Sequence, residues 1–188
     1  MSKILVVAGH PEINTNSVGN KLIVEQLGKK LENVTIHKLG ELYPDYKIDV
    51  EKEQKILMEH DIIVFQFPYF WYTVPALMKK WLDDVFVHGF SHGRTGDKLH
   101  GKKILFSITT GAPAEAYTHE GAMKHTVEDY LYLLDTFAEM TGMEKIGVVK
   151  TNGISYSTRA NGLEPSDEVR EKIDIHVNKV IEILKNNM

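Results

Sequence analysis

The stretch Asp61-Ile-Ile-Val-Phe-Gln-Phe-Pro-Tyr-Phe-Trp-Tyr-Thr-Val-Pro-Ala-Leu-Met-Lys-Lys-Trp81 decides the fold. Ile62–Phe67 is a short, nearly unbroken apolar run, the pattern of a strand covered on both faces. Pro68 has no N–H for a ladder, so the strand is expected to end there. Tyr69, Phe70, Trp71 and Tyr72 follow as four consecutive rings, and Pro75 then opens a helical pattern, where its missing N–H costs little. Ligands of open α/β sheets bind beyond the carboxyl ends of the strands. Rings crowded onto such a loop suit a flat, conjugated ligand. The same rings would equally serve to fill a gap beneath a neighbouring helix.

Working outward, strand and helix patterns alternate along the chain. Lys3–Ala8 reads as the first strand, and Gly9–Asn16 as a loop rich in turn formers. Ser17–Leu31 has helical spacing at Val18, Leu22, Leu27 and Leu31, with Ser17 or Asn16 as its N-cap. Val34–Leu39 is a second strand and Leu42–Val50 is irregular. Glu51–His60 reads as a helix whose early acidic residues suit its dipole. Pro75–Phe86 is a helix with an apolar face of Leu77, Met78, Trp81, Leu82 and Val85. His88–Lys102 contains four glycines and reads as a long mobile loop. Lys103–Thr110 is the fourth strand, Gly111–Glu120 a loop, Gly121–Thr141 mostly helix and Glu144–Thr151 the fifth strand. Turn chemistry runs on through Leu163, and Pro165–Lys185 closes the chain as an amphipathic helix with Ser166 as cap.

Five strands alternating with five helices favour a parallel sheet with helices on both faces. Residues 1–188 then form one domain. No Gly-x-Gly-x-x-Gly follows the first strand, so the strand order 2-1-3-4-5 is preferred. That order brings three loops to one end of the sheet: His10–Ser17, Pro68–Val74 and Thr110–Tyr117.

Composition narrows the function. A net charge of −4 argues against nucleic acid as a partner. No apolar run approaches bilayer length, and the first residues lead straight into a strand without a signal-peptide pattern, so a cytoplasmic location is expected. The chain has no cysteine, which excludes disulfides, thiolate metal sites and cysteine nucleophiles. Redox chemistry would therefore need an organic cofactor or a metal held by other ligands. The nine histidines include His88, His92, His100, His119 and His125, but no His-Glu-x-x-His run exists and no acidic cluster completes a site. No metal is expected. A Gly-x-Ser-x-Gly nucleophile elbow is also missing.

The three loops carry the candidate chemistry. His10, Asn14, Thr15, Asn16 and Ser17 precede a helix start, which suits either a phosphate or plain N-capping. A nucleoside-triphosphate loop would need a Lys that is not there. Thr109 and Thr110 end a strand, and Gly111 allows close backbone approach or simply a turn. Tyr117, followed by His119 and His125, could hydrogen-bond a charge developing on a ring, or lie at the surface.

Together these residues form a recognisable pattern. Ala8-Gly-His10-Pro11 is followed by Ser17-x-x-Asn20, then Phe65-Gln-Phe-Pro-x-x-Trp71-Tyr72-x-x-Pro75-x-x-x-Lys79-x-Trp81. Val87-His-Gly-Phe90, Leu99-His-Gly-Lys102 and Ser107-Ile-Thr-Thr-Gly111 with Tyr117 complete it. The pattern resembles the flavodoxin-like NAD(P)H:quinone oxidoreductases, above all the short bacterial members: general stress proteins and ancillary reductases of potassium-efflux systems. The resemblance covers residues 3 to about 125. It implies a flavodoxin-like three-layer sandwich and a bound flavin, FMN rather than the alternative FAD. NAD(P)H would be the co-substrate and a quinone or similar acceptor the oxidant, in a homodimer. It further implies that His10 and Ser17 meet the phosphate, that Pro68, Tyr69, Phe70, Trp71 and Tyr72 hold the ring, and that Thr109, Thr110 and Gly111 donate to its pyrimidine end. Tyr117 would assist hydride transfer. The histidine that larger members place six residues later is Met123 here, which leaves His125 as the nearby second candidate. A flavin-binding regulatory subunit on a membrane potassium-efflux transporter is the alternative reading.

Overall fold

The computed structural model describes residues 2–188 except Tyr156, Thr158 and Leu163. Strands β1 (Ile4–Ala8), β2 (Val34–Lys38), β3 (Ile62–Pro68), β4 (Lys103–Thr109) and β5 (Glu144–Thr151) form one parallel sheet of order β2-β1-β3-β4-β5. The helices are α1 (Gly19–Lys30), the single turn α2 (Leu39–Leu42), α3 (Val50–Met58), α4 (Ala76–Val85), α5 (Val127–Thr141) and α6 (Asp167–Lys185). The expected strand order holds.

Every residue of β3 is buried, which explains its unbroken apolar run: alternate side chains serve opposite faces. Ile63, Phe65 and Phe67 join Leu5, Val7, Ile104, Phe106 and Ile108 in a core with Leu77, Met78 and Trp81 of α4. Ile62 and Val64 join Ile4, Val6 and Leu105 in a second core with Ile23, Val24 and Leu27 of α1 and Val169, Ile173 and Val177 of α6. On that second face Gln66 follows in the same row, where the pattern would place another apolar residue.

The end of β3 at Pro68 is as expected; Pro68 itself still pairs with Thr109, and the Tyr69 N–H one residue on reaches Thr109 O at 2.7 Å. Several other boundaries differ from the sequence reading. Helix α1 begins at Gly19, with Val18 as N-cap and no capping side chain, so neither Ser17 nor Asn16 caps it. Helix α5 begins only at Val127, where Thr126 and Asp129 form a reciprocal capping box. The glycine-rich segment from His88 to Lys102 is anchored rather than loose: Phe90, Ser91 and Leu99 are buried, and the Lys98 N–H reaches Phe90 O at 3.1 Å. Beyond β5 a small antiparallel pair, β6 (Arg159–Asn161) and β7 (Glu164–Pro165), occupies the stretch that turn chemistry left unplaced. Among the described residues no helix is long and apolar enough to cross a membrane.

Candidate functional site

The carboxyl ends of β1, β3 and β4 open into a cavity of about 460 Å³, within the range of small-molecule and cofactor sites. Its wall includes His10, Ser17, Pro68, Tyr69, Phe70, Trp71, Thr109 and Gly111. All three loops expected to converge do so. Tyr72, Thr110, Tyr117 and His125 lie outside the lining. Asn20, Ile154 and Ser155 also line the cavity. Asn20 matched the phosphate loop of the quoted pattern without being expected as a direct contact, and the other two went unassigned. Ile154 and Ser155 follow β5, and every strand of a parallel sheet delivers its next loop to the same end, so their place was readable from topology.

One wall is electropositive by construction. Helices α3, α5 and α6 are each capped by a side chain, from Asp49, Thr126 and Ser166, and each carries acidic residues in the first turn. Helix α1 has neither. Its start, Val18-Gly19-Asn20, opens instead into the cavity. Unpartnered first-turn N–H groups with the helix dipole behind them suit an anion such as phosphate. Gly19 is required here by packing. A Cβ at this position would fall 2.4 Å from Cγ2 of Ile154, so the helix start and the loop after β5 touch backbone to side chain.

The aromatic loop forms the opposite wall. Phe70 and Thr73 bridge, and the Thr73 N–H reaches Phe70 O at 3.1 Å, closing a tight turn. Its two central residues, Trp71 and Tyr72, sit at φ 47° and 64°. Both values are positive, as in a type I′ turn, where Asn-Gly is preferred. Bulky residues in this region carry strain. Trp71 is 89% exposed, so packing within the chain does not account for its ring. The His10 ring meets Phe70 edge-on at 5.6 Å, while its Nδ1 accepts the Glu12 N–H at 3.1 Å. Tyr72 turns toward α5, stacking on Tyr130 at 4.8 Å and donating to Met123 Sδ at 3.1 Å.

Gly111 closes the site from β4. A Cβ there would meet nothing closer than Ser155 Cβ at 3.9 Å, and its φ is not positive. Neither strain nor packing among the described residues requires a glycine. Open space beside the cavity is the remaining feature of the position. Just beyond it Tyr117 is buried. Burial pushes its phenol pKa up; the neighbouring Thr110 side chain works against this, and Tyr72 and Tyr130 add to it. The phenol therefore keeps its proton at neutral pH. Tyr69 is pushed up to about 12 by burial, then by Tyr117 and Tyr130, and donates to Tyr130 O at 3.1 Å.

His125 stands apart from this group. Its side chain is exposed, 3.8 Å from Asp129 Oδ2, with His119 at 3.7 Å from the same oxygen. The sequence reading found no acidic cluster beside these histidines; the fold brings Asp129, in the first turn of α5, close to both.

Sheet order, switch-point cavity, helix start and strand-end rings define a doubly wound α/β protein of the flavodoxin-like class. A family model for the flavodoxin-like fold matches residues 2–174, and the chain belongs to that family. Over 141 residues it is 43% identical to the uncharacterized NAD(P)H oxidoreductase YrkL of Bacillus subtilis (strain 168), covering 75% of this chain and 80% of that one. It is 42% identical over 142 residues to the glutathione-regulated potassium-efflux system ancillary protein KefG of Enterobacter sp. (strain 638), covering 76% of each. The structure of general stress protein 14 from Treponema denticola, solved in complex with FMN, matches with a TM-score of 0.80 at 29% identity, covering 96% of this chain and 99% of that one.

Proposed function

We propose that this protein is an FMN-dependent NAD(P)H oxidoreductase that reduces quinones or related acceptors by two-electron hydride transfer. The observation that carries the reading is the single cavity joining an uncapped helix start, a strained aromatic turn and an open glycine edge. The FMN-bound relative and the relatives named as oxidoreductases support it. When bound, the flavin supplies the hydride acceptor and donor. The chain's residues do the rest. The start of α1 and Ser17 hold the phosphate, and His10 braces the aromatic loop through Phe70. Pro68, Tyr69, Phe70 and Trp71 hold the ring system. Gly111 lets its edge approach the backbone. Of the two candidate proton-handling residues we assign the role to Tyr117, whose protonated, buried phenol is a preorganised donor for charge developing nearby. His125 stays at the surface beside Asp129.

Purified protein should oxidise NAD(P)H when menadione is added, and protein that does so no faster than buffer would overturn the reading. Tyr117→Phe should slow flavin reduction in stopped-flow mixing roughly tenfold or more while leaving FMN affinity within about threefold. An unchanged reduction rate would remove Tyr117 from the chemistry.

The similarity to KefG favours a second role on the same scaffold, as a flavoprotein subunit on a potassium-efflux transporter at the cytoplasmic membrane face. Co-purification with such a transporter would establish it, and a chain that is fully active with no membrane partner would count against it. A homodimer is part of the proposal as well. Phe70, Trp71 and Tyr72 are exposed hydrophobics on the aromatic loop, and sedimentation of a monomer at micromolar concentration would exclude a dimer.

A further inference from the structure

A line of buried polar side chains leads from the cavity floor to α6. Asn20 of α1 and Thr109 of β4 line the cavity, and Asn20 Nδ2 lies 3.0 Å from Thr109 Oγ1. Gln66 Nε2 lies 2.8 Å from Asn20 Oδ1. The Ser107 hydroxyl donates to Gln66 Oε1 across the neighbouring strand. His176 Nε2 is 2.7 Å from that hydroxyl, and His176 Nδ1 is 2.8 Å from Thr151 Oγ1. Asn20, Gln66, Ser107, Thr109 and His176 are all at most 4% exposed.

Each hydroxyl in this line has one proton, so the bonds have a direction. Ser107 gives its proton to Gln66 and can only accept from His176, which places a proton on Nε2. The ring is neutral: burial, with Lys179 adding to it, pushes its pKa down to about 4. Nδ1 is then bare and accepts from Thr151. At the other end Thr109 accepts from Asn20, so its own proton cannot return along the line. Among the described residues no other acceptor takes that proton, and Thr109 faces the cavity. The reverse polarity is also self-consistent, but every link must turn over together. The histidine proton moves to Nδ1, both carboxamides rotate end for end, and the Thr109 proton goes to Asn20. The floor then presents a lone pair instead of a donor.

We propose that His176 is a positioning residue that sets the polarity of the cofactor floor: its Nε2–H tautomer, relayed through Ser107, Gln66 and Asn20, holds the Thr109 hydroxyl as a donor toward the bound flavin. The inference rests on the FMN reading above. Phosphate and carbonyl oxygens of that cofactor are acceptors, so a donor floor matches them and a lone-pair floor opposes them.

Nitrogen-15 NMR of histidine-labelled protein, stripped of ligand and then loaded with FMN, reads the tautomer directly. The expected result is a proton on His176 Nε2 in both states. A proton on Nδ1 would overturn the proposal. FMN titration of variants supplies the second arm. His176→Leu should weaken FMN binding roughly tenfold, the loss of one hydrogen bond to a charged or strongly polar group. His176→Gln, which keeps an N–H toward Ser107, should recover most of it. Thr109→Val should lose as much as His176→Leu, and the double variant no more than either alone, because both act through one hydroxyl. Losses that add, or an unchanged affinity in folded His176→Leu, would contradict the relay. Should that variant fail to fold, Ser107→Ala cuts the same line one link closer to the site. Wild-type protein that takes up no FMN would overturn the flavin reading itself, whereas the tautomer of the ligand-free protein tests the polarity separately.

Discussion

Two polar clusters are buried on opposite faces of the sheet, and they differ in charge and in where they lead. On the α3 and α4 side, Glu53 is 0% exposed. It accepts from His37 Nε2 at 2.7 and 2.9 Å, from Trp81 Nε1 at 2.7 Å, and from the Tyr43 hydroxyl. Burial alone would raise its pKa, but these donors outweigh burial and hold it below the usual carboxylate range. The cluster is therefore a closed, ionised knot tying β2, α3 and α4 together behind the aromatic loop. On the α1 and α6 side, the line from His176 is neutral and ends at the cavity. A buried charge whose donors all come from the protein has nothing left to offer a ligand and serves stability. A neutral hydrogen-bonded line with one end at a cavity can pass a preference to what binds there.

Removing the Glu53 charge should have the largest effect. Glu53→Leu leaves three donors without their acceptor and should cost about 4 kcal/mol in urea unfolding. Its FMN affinity, measured where the protein is folded, should stay unchanged. A loss below about 1 kcal/mol would mean that the donors find other partners.

Acid should separate the two faces by pH window. His176 has a folded pKa near 4 against an ordinary value of 6.5, so between those limits the unfolded chain binds the extra proton. Its contribution is full above pH 6.5 and falls as the pH drops toward 4. The total loss is on the order of 3 kcal/mol. Glu53 has a depressed pKa, so its contribution is full above the ordinary value of 4.5 and is lost only at lower pH. Unfolding followed from pH 7 to 5 should thus show a decline that His176→Gln flattens and Glu53→Gln leaves in place. Equal slopes in wild type and His176→Gln would show that His176 is not the group responsible.

Two glycines give the smallest and sharpest contrast. Gly19→Ala drives a Cβ to within 2.4 Å of Ile154, so it should cost about 1–3 kcal/mol of stability and weaken FMN binding by displacing the helix start. Gly111→Ala has room within the protein, with stability expected within about 0.5 kcal/mol of wild type. Its effect should appear only as weaker FMN binding. Denaturation and FMN titration of both variants decide the matter. A destabilised Gly111→Ala with normal affinity would reverse the assignment.

The sheet was legible because buried parallel strands write themselves as apolar runs, and Ile62–Phe67 is such a run. The convergence of three loops followed from strand order alone. Less legible were features that depend on partners distant in sequence. Glu53 reads as an acidic residue of a helix start and is instead buried by His37, Tyr43 and Trp81. Gln66 hides in an apolar run, and His176 sits in a helix whose spacing gives no hint that Ser107 and Thr151 face it. The late start of α5 was readable, since Thr126-x-x-Asp129 is a capping signature, but the helical pattern upstream masked it. Ser17 looked like a cap because its residue type suits one, but the N-cap position falls on Val18.

The cavity bounded by the start of α1, the Pro68–Trp71 turn and Gly111 is proposed as a flavin site. Heat release and mass identification of the bound cofactor, with a fluorescence titration of the stripped protein, tests it most directly. The expected result is a yellow protein carrying FMN at one per chain, with rebinding that Gly111→Ala weakens. A colourless protein that neither carries nor takes up FMN would contradict it.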